Sequence, residues 1–297
     1  MSEANCKYVC SRGLLKSCDY YSRTIQSSAR YAINYPNLDE IRNKRNPSIY
    51  VCNTVLPDFI NKILNNIDFP FVLVSGDSDV RVPKKILSDN DFNKFLENPL
   101  LIHWYCQNME IEHEKITNLP IGLDYHTQTT LALWGPRESV EDQEKNLISI
   151  VESSKPFYER EIKCYCNCLY CCHDGINDDR VQMKNRVPAE LMVNERFPMP
   201  PRTESWNNQI NYSFVLCPAG NGRDTHRFWE ALILGCIPIV TESPMDKLFE
   251  GLPVLILKSY KDITQDLLDE TVEKFKKMEF NYEKLLLKYW TDKINSH

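Results

Sequence analysis

Short apolar runs alternate with amphipathic stretches along nearly the whole chain, and the alternation starts twice. In the first half SIYVCN (48–53) predicts a strand, the residues over 56–66 predict a helix with Thr54 as its cap, and FPFVLVS (69–75) predicts a second strand. NDFNKFLEN then reads as a short helix, LLIHWYC (100–106) as a third strand and ITNLPIGL (116–123) as a fourth. Apolar runs of this length between polar turns suit strands covered on both faces, as in a parallel sheet with β/α alternation.

After a helix expected over 138–154 the chain crosses KPFYER and the pattern resumes. EIKCYCNCLY reads as a strand, DDRVQMKNRVPAEL as a helix broken near Pro188, and YSFVLCP, CIPIV and LPVLILK (252–258) as three further strands. Helices over 262–277 and 281–293 close the chain. Two consecutive β/α sets, with no internal repeat or low-complexity linker between them, predict an α/β protein. Its two Rossmann-like domains, 1–155 and 156–297, face a cleft, and the last helix is placed to return to the first domain and tie the pair.

Composition narrows this picture. A chain of 297 residues, 42% hydrophobic and 26% charged, is long enough for two soluble cores. A formal net charge of -6 argues against nucleic acid as a partner, because neutralising phosphates needs a basic face. MSEANCKYVCSRGLLKSC at the start carries neither a signal-peptide run nor a membrane span, and none follows, so a cytoplasmic location is expected. In that setting twelve cysteines read as reduced thiols rather than a disulfide framework.

The candidate chemistry concentrates in SFVLCPAGNGRDTHRFWEALILGCIPIV (213–240), a strand, a glycine turn, a helix and a strand. Gly220 and Gly222, flanking Asn221, can take positive φ and let a ligand approach the backbone closely. Asp224 or Thr225 is placed to cap the helix, with Phe228, Ala231, Leu232 and Gly235 on its inward face. A helix N-terminus behind such a turn offers free N–H groups and positive dipole, and Arg223 and Arg227 add cations suited to a diphosphate. Glu230, an acceptor one turn on, suits the hydroxyls of a ribose, and His226 is placed to touch a sugar or a phosphate. The simpler alternative is an Arg227–Glu230 pair at i, i+3 on the helix surface.

CPAGNGRDTHRFWEALILGCIPIV closely resembles the donor-binding segment of exostosin-type glycosyltransferases and their smaller viral and algal relatives. FVLVSGDSDVRVP, HWYCQN and EHEKITNLPIGLDYHT resemble segments of the shorter relatives, so that the resemblance covers most of 69–245 and none of 1–45. It implies a GT-B fold, and a nucleotide sugar bound mainly by the C-terminal domain and transferred to a hydroxyl acceptor without an obligatory metal or other cofactor. Arg227 then meets the diphosphate and Glu230 the ribose, with Arg186 and Arg202 as further arginines able to reach the phosphates or to stand as ordinary surface groups. Ala219 stands where many relatives carry a basic residue, which leaves Arg223 to supply that charge.

An inverting transfer also needs a base. Asp79 and Asp124, ending first-domain strands, are the first choices, with Asp77, His126 and His226 behind them, although aspartate at such positions also caps helices and makes turns. The donor expected first is a UDP-sugar and the acceptor a glycan, glycoprotein or glycolipid. A GDP-sugar transferase or another nucleotide-sugar enzyme such as an epimerase is the alternative, and no G-x-G-x-x-G follows a predicted strand to suggest a nicotinamide enzyme. A rival from another class is a noncatalytic carbohydrate-binding or zinc-held protein. It draws on CYCNCLYCCH (164–173), where Cys168, Cys171, Cys172 and His173 form a knuckle with Cys6, Cys10 and Cys18 as the thiols able to complete it; the same segment also reads as a strand lined with small apolar thiols, with no metal bound.

Overall fold

The computed structural model describes residues 1–22, 38–168 and 177–297. The first sheet is built from β1 (Ser48–Cys52), β2 (Phe71–Gly76), β3 (Leu101–Gln107) and β4 (Ile116–Leu119), all parallel and in sequence order. Strands β1 and β2 are buried along their whole length, which is why their sequences are continuously apolar rather than alternating. The second sheet comprises β5 (Glu161–Cys166), β6 (Met192–Asn194), β7 (Tyr212–Leu216), β8 (Ile237–Thr241) and β9 (Leu255–Leu257), again all parallel, in the order β6-β5-β7-β8-β9. The expected pair of Rossmann-like halves is present.

That strand order decides where a ligand can sit. From β5 the chain first runs outward to β6 and then returns to the other side of β5 to form β7, so a crevice opens above the carboxyl ends of β5 and β7. The short strand β6 and the helix Arg202–Gln209 that carry the chain through this reversal are not marked by apolar periodicity. Another difference lies in 56–66. Pro57 sits in its first turn and the segment is a succession of short 3-10, α and π turns; Thr54 Oγ1 contacts Cys52 Sγ at 3.3 Å rather than capping it.

Two elements outside the sheets hold the halves together. The N-terminal segment inserts Val9, Cys10, Leu14 and Leu15 into a central core shared with Val72 and Tyr105 of the first half and Trp229 and Leu232 of the second. Buried Glu144 anchors it, its Oε1 accepting from Lys7 N, Tyr8 N and the Tyr125 hydroxyl at 2.9–3.3 Å. The terminal helix Leu287–Asn295 returns to the first half, burying Trp290 and Ile294, and delivers His297 onto β3. There His297 stacks on His103 with ring centres 4.9 Å apart and meets the Tyr105 hydroxyl through Nε2 at 2.9 Å.

This clasp makes stability pH-dependent. Burial, with the charges of His297 and Lys293 beside it, pushes the His103 imidazole from 6.5 down to about 4, and burial lowers His297 as well. A histidine depressed on folding leaves stability intact above its unfolded value and removes it as pH falls from 6.5 toward about 4. Asp224, pushed up to about 6 by burial, acts in the opposite sense below that pH, so the diagnostic quantity is a difference. The melting temperature of the parent is expected to fall more steeply between pH 7 and 4.5 than that of His103→Gln; parallel curves would remove His103 from the account.

Candidate functional site

A cavity of about 390 Å³ opens at the β5/β7 reversal, between the two halves. Asn167, next after β5, lines one side, and Gly220, Asn221, Gly222, Asp224, Thr225, His226, Arg227 and Glu230, following β7, line the next. Asp79 and Ile121 reach it from the first half. The sequence after β7 turns here because Asp179 Oδ2 accepts from Ala219 N at 2.8 Å and Gly220 N closes on Gly222 O at 2.9 Å.

Gly222 is required for a different reason than positive φ, which neither it nor Gly220 adopts. A β-carbon at Gly222 would lie 2.9 Å from Asn108 Oδ1 and 3.1 Å from the Asp79 carbonyl oxygen, and one at Gly220 would lie 2.9 Å from an Arg180 guanidinium nitrogen. Close approach of first-half groups, not a left-handed backbone, leaves no room for a side chain at Gly222, whereas the Arg180 end that faces Gly220 is the tip of a flexible side chain and can swing aside.

The helix that follows, His226–Ile233, starts from Thr225 in extended conformation, with no side-chain cap; Thr225 Oγ1 is shielded and has no hydrogen-bond partner. Its N-terminal N–H groups are therefore left to backbone geometry and to whatever occupies the cavity. Arg227 lies here. It does not pair with Glu230; its Nε donates to Asn167 Oδ1 at 2.6 Å, which fixes the guanidinium over the end of β5. His226 Nδ1 is 2.6 Å from the Gly122 carbonyl and must donate there, so Nε2 is the nitrogen that carries the lone pair.

Asp224 is not the helix cap. Fully buried, its carboxylate accepts from Ile121 N at 2.7 Å and from Trp229 Nε1 at 2.9 Å, while its own N–H donates to Asn108 Oδ1. It staples the second-half turn to the first half, and burial pushes its carboxyl up to about 6 against those hydrogen bonds. Glu230 is paired with Arg202, whose Nε and Nη2 both reach its Oε1, at 3.0 and 2.5 Å. Arg202 is itself buried between the indoles of Trp134 and Trp206, 4.8 and 5.0 Å from their ring centres, and also donates to the Asp124 carbonyl.

Three expected site residues fall outside the cavity lining. Arg186, in the last turn of the helix Asn177–Arg186, is exposed and donates to Ser259 Oγ at 3.1 Å. Arg223 turns toward the first half, where its Nε is 3.6 Å from Glu110. Asp124 caps the short helix Tyr125–Thr130, its Oδ1 accepting from Thr127 N at 2.9 Å and lying 3.0 Å from His126 Nδ1. Burial works to raise that carboxyl, but the His126 hydrogen bond and the charges of His226, His126 and Arg202 outweigh it and hold it well below the usual range, which makes a poor proton acceptor. Asp79 does line the cavity, half-buried, with Asn221 Nδ2 3.5 Å from its Oδ2; Asp77, buried at φ 50°, belongs to the turn beneath it.

The structure brings in cavity residues that the sequence reading passed over, above all Arg180, Asn167, Trp134 and Trp206. Arg180 had a legible signal. Helices of α/β units begin at the carboxyl edge of the sheet, so a cation in the first turn of the helix after β5 faces the crevice, whereas Arg186 in the last turn faces away. Arg180 Nε donates to the Ala219 carbonyl at 3.1 Å, beside the glycine turn.

The described thiols of this segment stand at the end of β5. Cys164 and Cys166 lie in β5, Cys166 Sγ is 3.5 Å from Cys168 Sγ, and burial pushes the Cys164 thiol up to about 12. Among the described residues no three histidine, cysteine or acidic side chains are grouped to hold a metal. Cys171, Cys172 and His173 of the knuckle lie outside the described residues. Among the described residues, too, no helix is long and apolar enough to cross a membrane.

Comparison with known proteins adds distant likenesses only. No family model and no curated protein matches the chain. Among solved structures, an α1,3-fucosyltransferase is similar at 14% identity and a TM-score of 0.39, over 92% of this chain and 93% of that one. An α1,3-fucosyltransferase with GDP-fucose is similar at 12% and 0.36, over 96% of each chain.

Proposed function

We propose that the chain is a glycosyltransferase that binds a nucleoside diphosphate sugar in this cavity and passes the sugar to a hydroxyl of a glycan, glycoprotein or glycolipid. The observation that carries the reading is the cation arrangement at the strand-order reversal. The N-terminus of the helix His226–Ile233 opens onto a cavity that Arg227 and Arg180 also line, at the place where open α/β sheets bind ligands. The exostosin-like segment supplies the helix end and Arg227, Arg180 comes from the helix after β5, and uridine is the base the resemblance implies.

On this reading the diphosphate lies against the helix end between Arg227 and Arg180, which stabilise the charge that builds on the leaving group and make a bound cation unnecessary. Glu230 gives Oε1 to Arg202 and keeps Oε2 for a ribose hydroxyl. The acceptor oxygen attacks the anomeric carbon from the side of the first half, Asp79 takes its proton, the bond to the diphosphate breaks and the nucleoside diphosphate leaves, with inversion. His226 Nε2 accepts from a sugar hydroxyl.

Calorimetry in the presence of chelator tests the cation-free site. UDP is expected to bind, and Arg227→Ala to weaken it roughly ten- to a hundredfold, the scale of one lost charge-assisted hydrogen bond. Binding that requires Mg²⁺ or Mn²⁺ overturns the metal-independent mechanism, and GDP binding in place of UDP reassigns the base while leaving the diphosphate site intact.

A further inference from the structure

Part of the cavity's border is apolar. Two loops form this rim, LALWGPR (131–137), which gives Trp134 to the lining, and ERFPMPPR (195–202), which gives Met199 and Pro200. They abut: Arg202 N donates to the Trp134 carbonyl at 2.8 Å, and a β-carbon at Gly135 would lie 3.2 Å from Pro201 Cβ. Trp134 and Met199 line the cavity itself. Met199 is also 38% exposed, and beyond the lining, in the same two abutting loops, Leu131 is 56%, Leu133 63% and Phe197 86% exposed, a set of large apolar groups that packing of the fold does not use.

We propose that this rim docks on the surface of a lipid bilayer, with Leu131, Leu133, Phe197 and Met199 inserted at the headgroup boundary and the cavity mouth seated at the membrane. The area decides against a second copy of the chain. Four side chains offer a few hundred Å² (roughly 150–250 Å² for a whole aromatic residue), against about 800 Å² per partner in a stable dimer. The backbone favours lipid as well, because Pro136, Pro198, Pro200 and Pro201 carry no N–H that must be satisfied on leaving water. Exposed Arg137 and Arg196 border the loops with Glu138 and Glu195 beside them, and Arg196 pairs with Glu204 at 2.8 Å. The border is thus close to neutral, and apolar insertion rather than attraction to anionic lipid carries the contact. The proposal does not depend on the transferase reading, but a membrane seat of this kind presents the cavity to a hydroxyl acceptor carried on a lipid.

The test is co-sedimentation of the full chain with phosphatidylcholine vesicles. The parent is expected to pellet with lipid, and the double variant Leu133→Asp/Phe197→Asp to lose about tenfold or more in partitioning while keeping the parent's melting temperature, since both side chains are exposed. A parent that stays in the supernatant at every lipid concentration overturns the proposal, as does a variant that pellets like the parent. A parent that sediments as a dimer without lipid, and as a monomer once Phe197 is replaced, also overturns it and makes the rim a self-association surface.

Discussion

Asp79→Asn is expected to lower sugar transfer by a hundredfold or more while leaving nucleotide affinity nearly unchanged, the usual range for loss of a general base being about 10²–10⁴. Of the two aspartates chosen first as the base, Asp79 lines the cavity and Asp124 does not. It approaches from the first half, across the glycine turn from the helix end proposed to hold the diphosphate, with its carbonyl oxygen against Gly222 and its carboxylate near Asn221. The amide keeps the shape and the contact with Asn221 but cannot take a proton. Transfer rate at saturating donor, read beside donor affinity, separates this from a binding defect. Full turnover in Asp79→Asn would remove it as the base and move the role to His226, which lines the cavity with Nδ1 held by the Gly122 carbonyl and Nε2 left to accept.

The largest stability effect is expected from Glu230→Ala. Removing one partner of a buried ion pair costs about 3–5 kcal/mol, because the other charge stays buried and uncompensated. Here the stranded group is Arg202, 7% exposed and closed in by two indoles. A fall in nucleotide affinity in Glu230→Ala alone therefore mixes lost fold with lost ribose contact. The double variant Glu230→Ala/Arg202→Met removes both charges and is expected to recover most of the stability, since an apolar replacement of a whole buried pair is often neutral. Urea midpoints of the two variants measure the first effect, and UDP affinity of the double variant measures the second. A single variant as stable as the parent would mean that the Arg202–Glu230 pair contributes nothing to the fold; a double variant with parental UDP affinity would take Glu230 out of the donor site.

What the sequence determined by itself was local. Apolar run lengths gave both sheets and all strands except β6, and the adjacency of β7, its glycine turn and the next helix brought Arg227, His226 and Glu230 to one strand end, because neighbours along a strand–turn–helix unit are neighbours in space. Tertiary structure decided the rest. Periodicity says which face of an element is buried but not which element buries it, so Glu230's partner 28 residues away and the Asp224 carboxylate's bond to Ile121, 103 residues away, left no local mark. For the same reason Asp79 and Asp124, alike in sequence context at strand ends, diverged into a cavity residue and a helix cap held in its charged form by two histidines and an arginine. Arg180 and Arg186 differ from these pairs: the β/α order already sets which end of their helix meets the crevice, whereas the contacts each then makes, with the Ala219 carbonyl and with Ser259, came only with the tertiary structure.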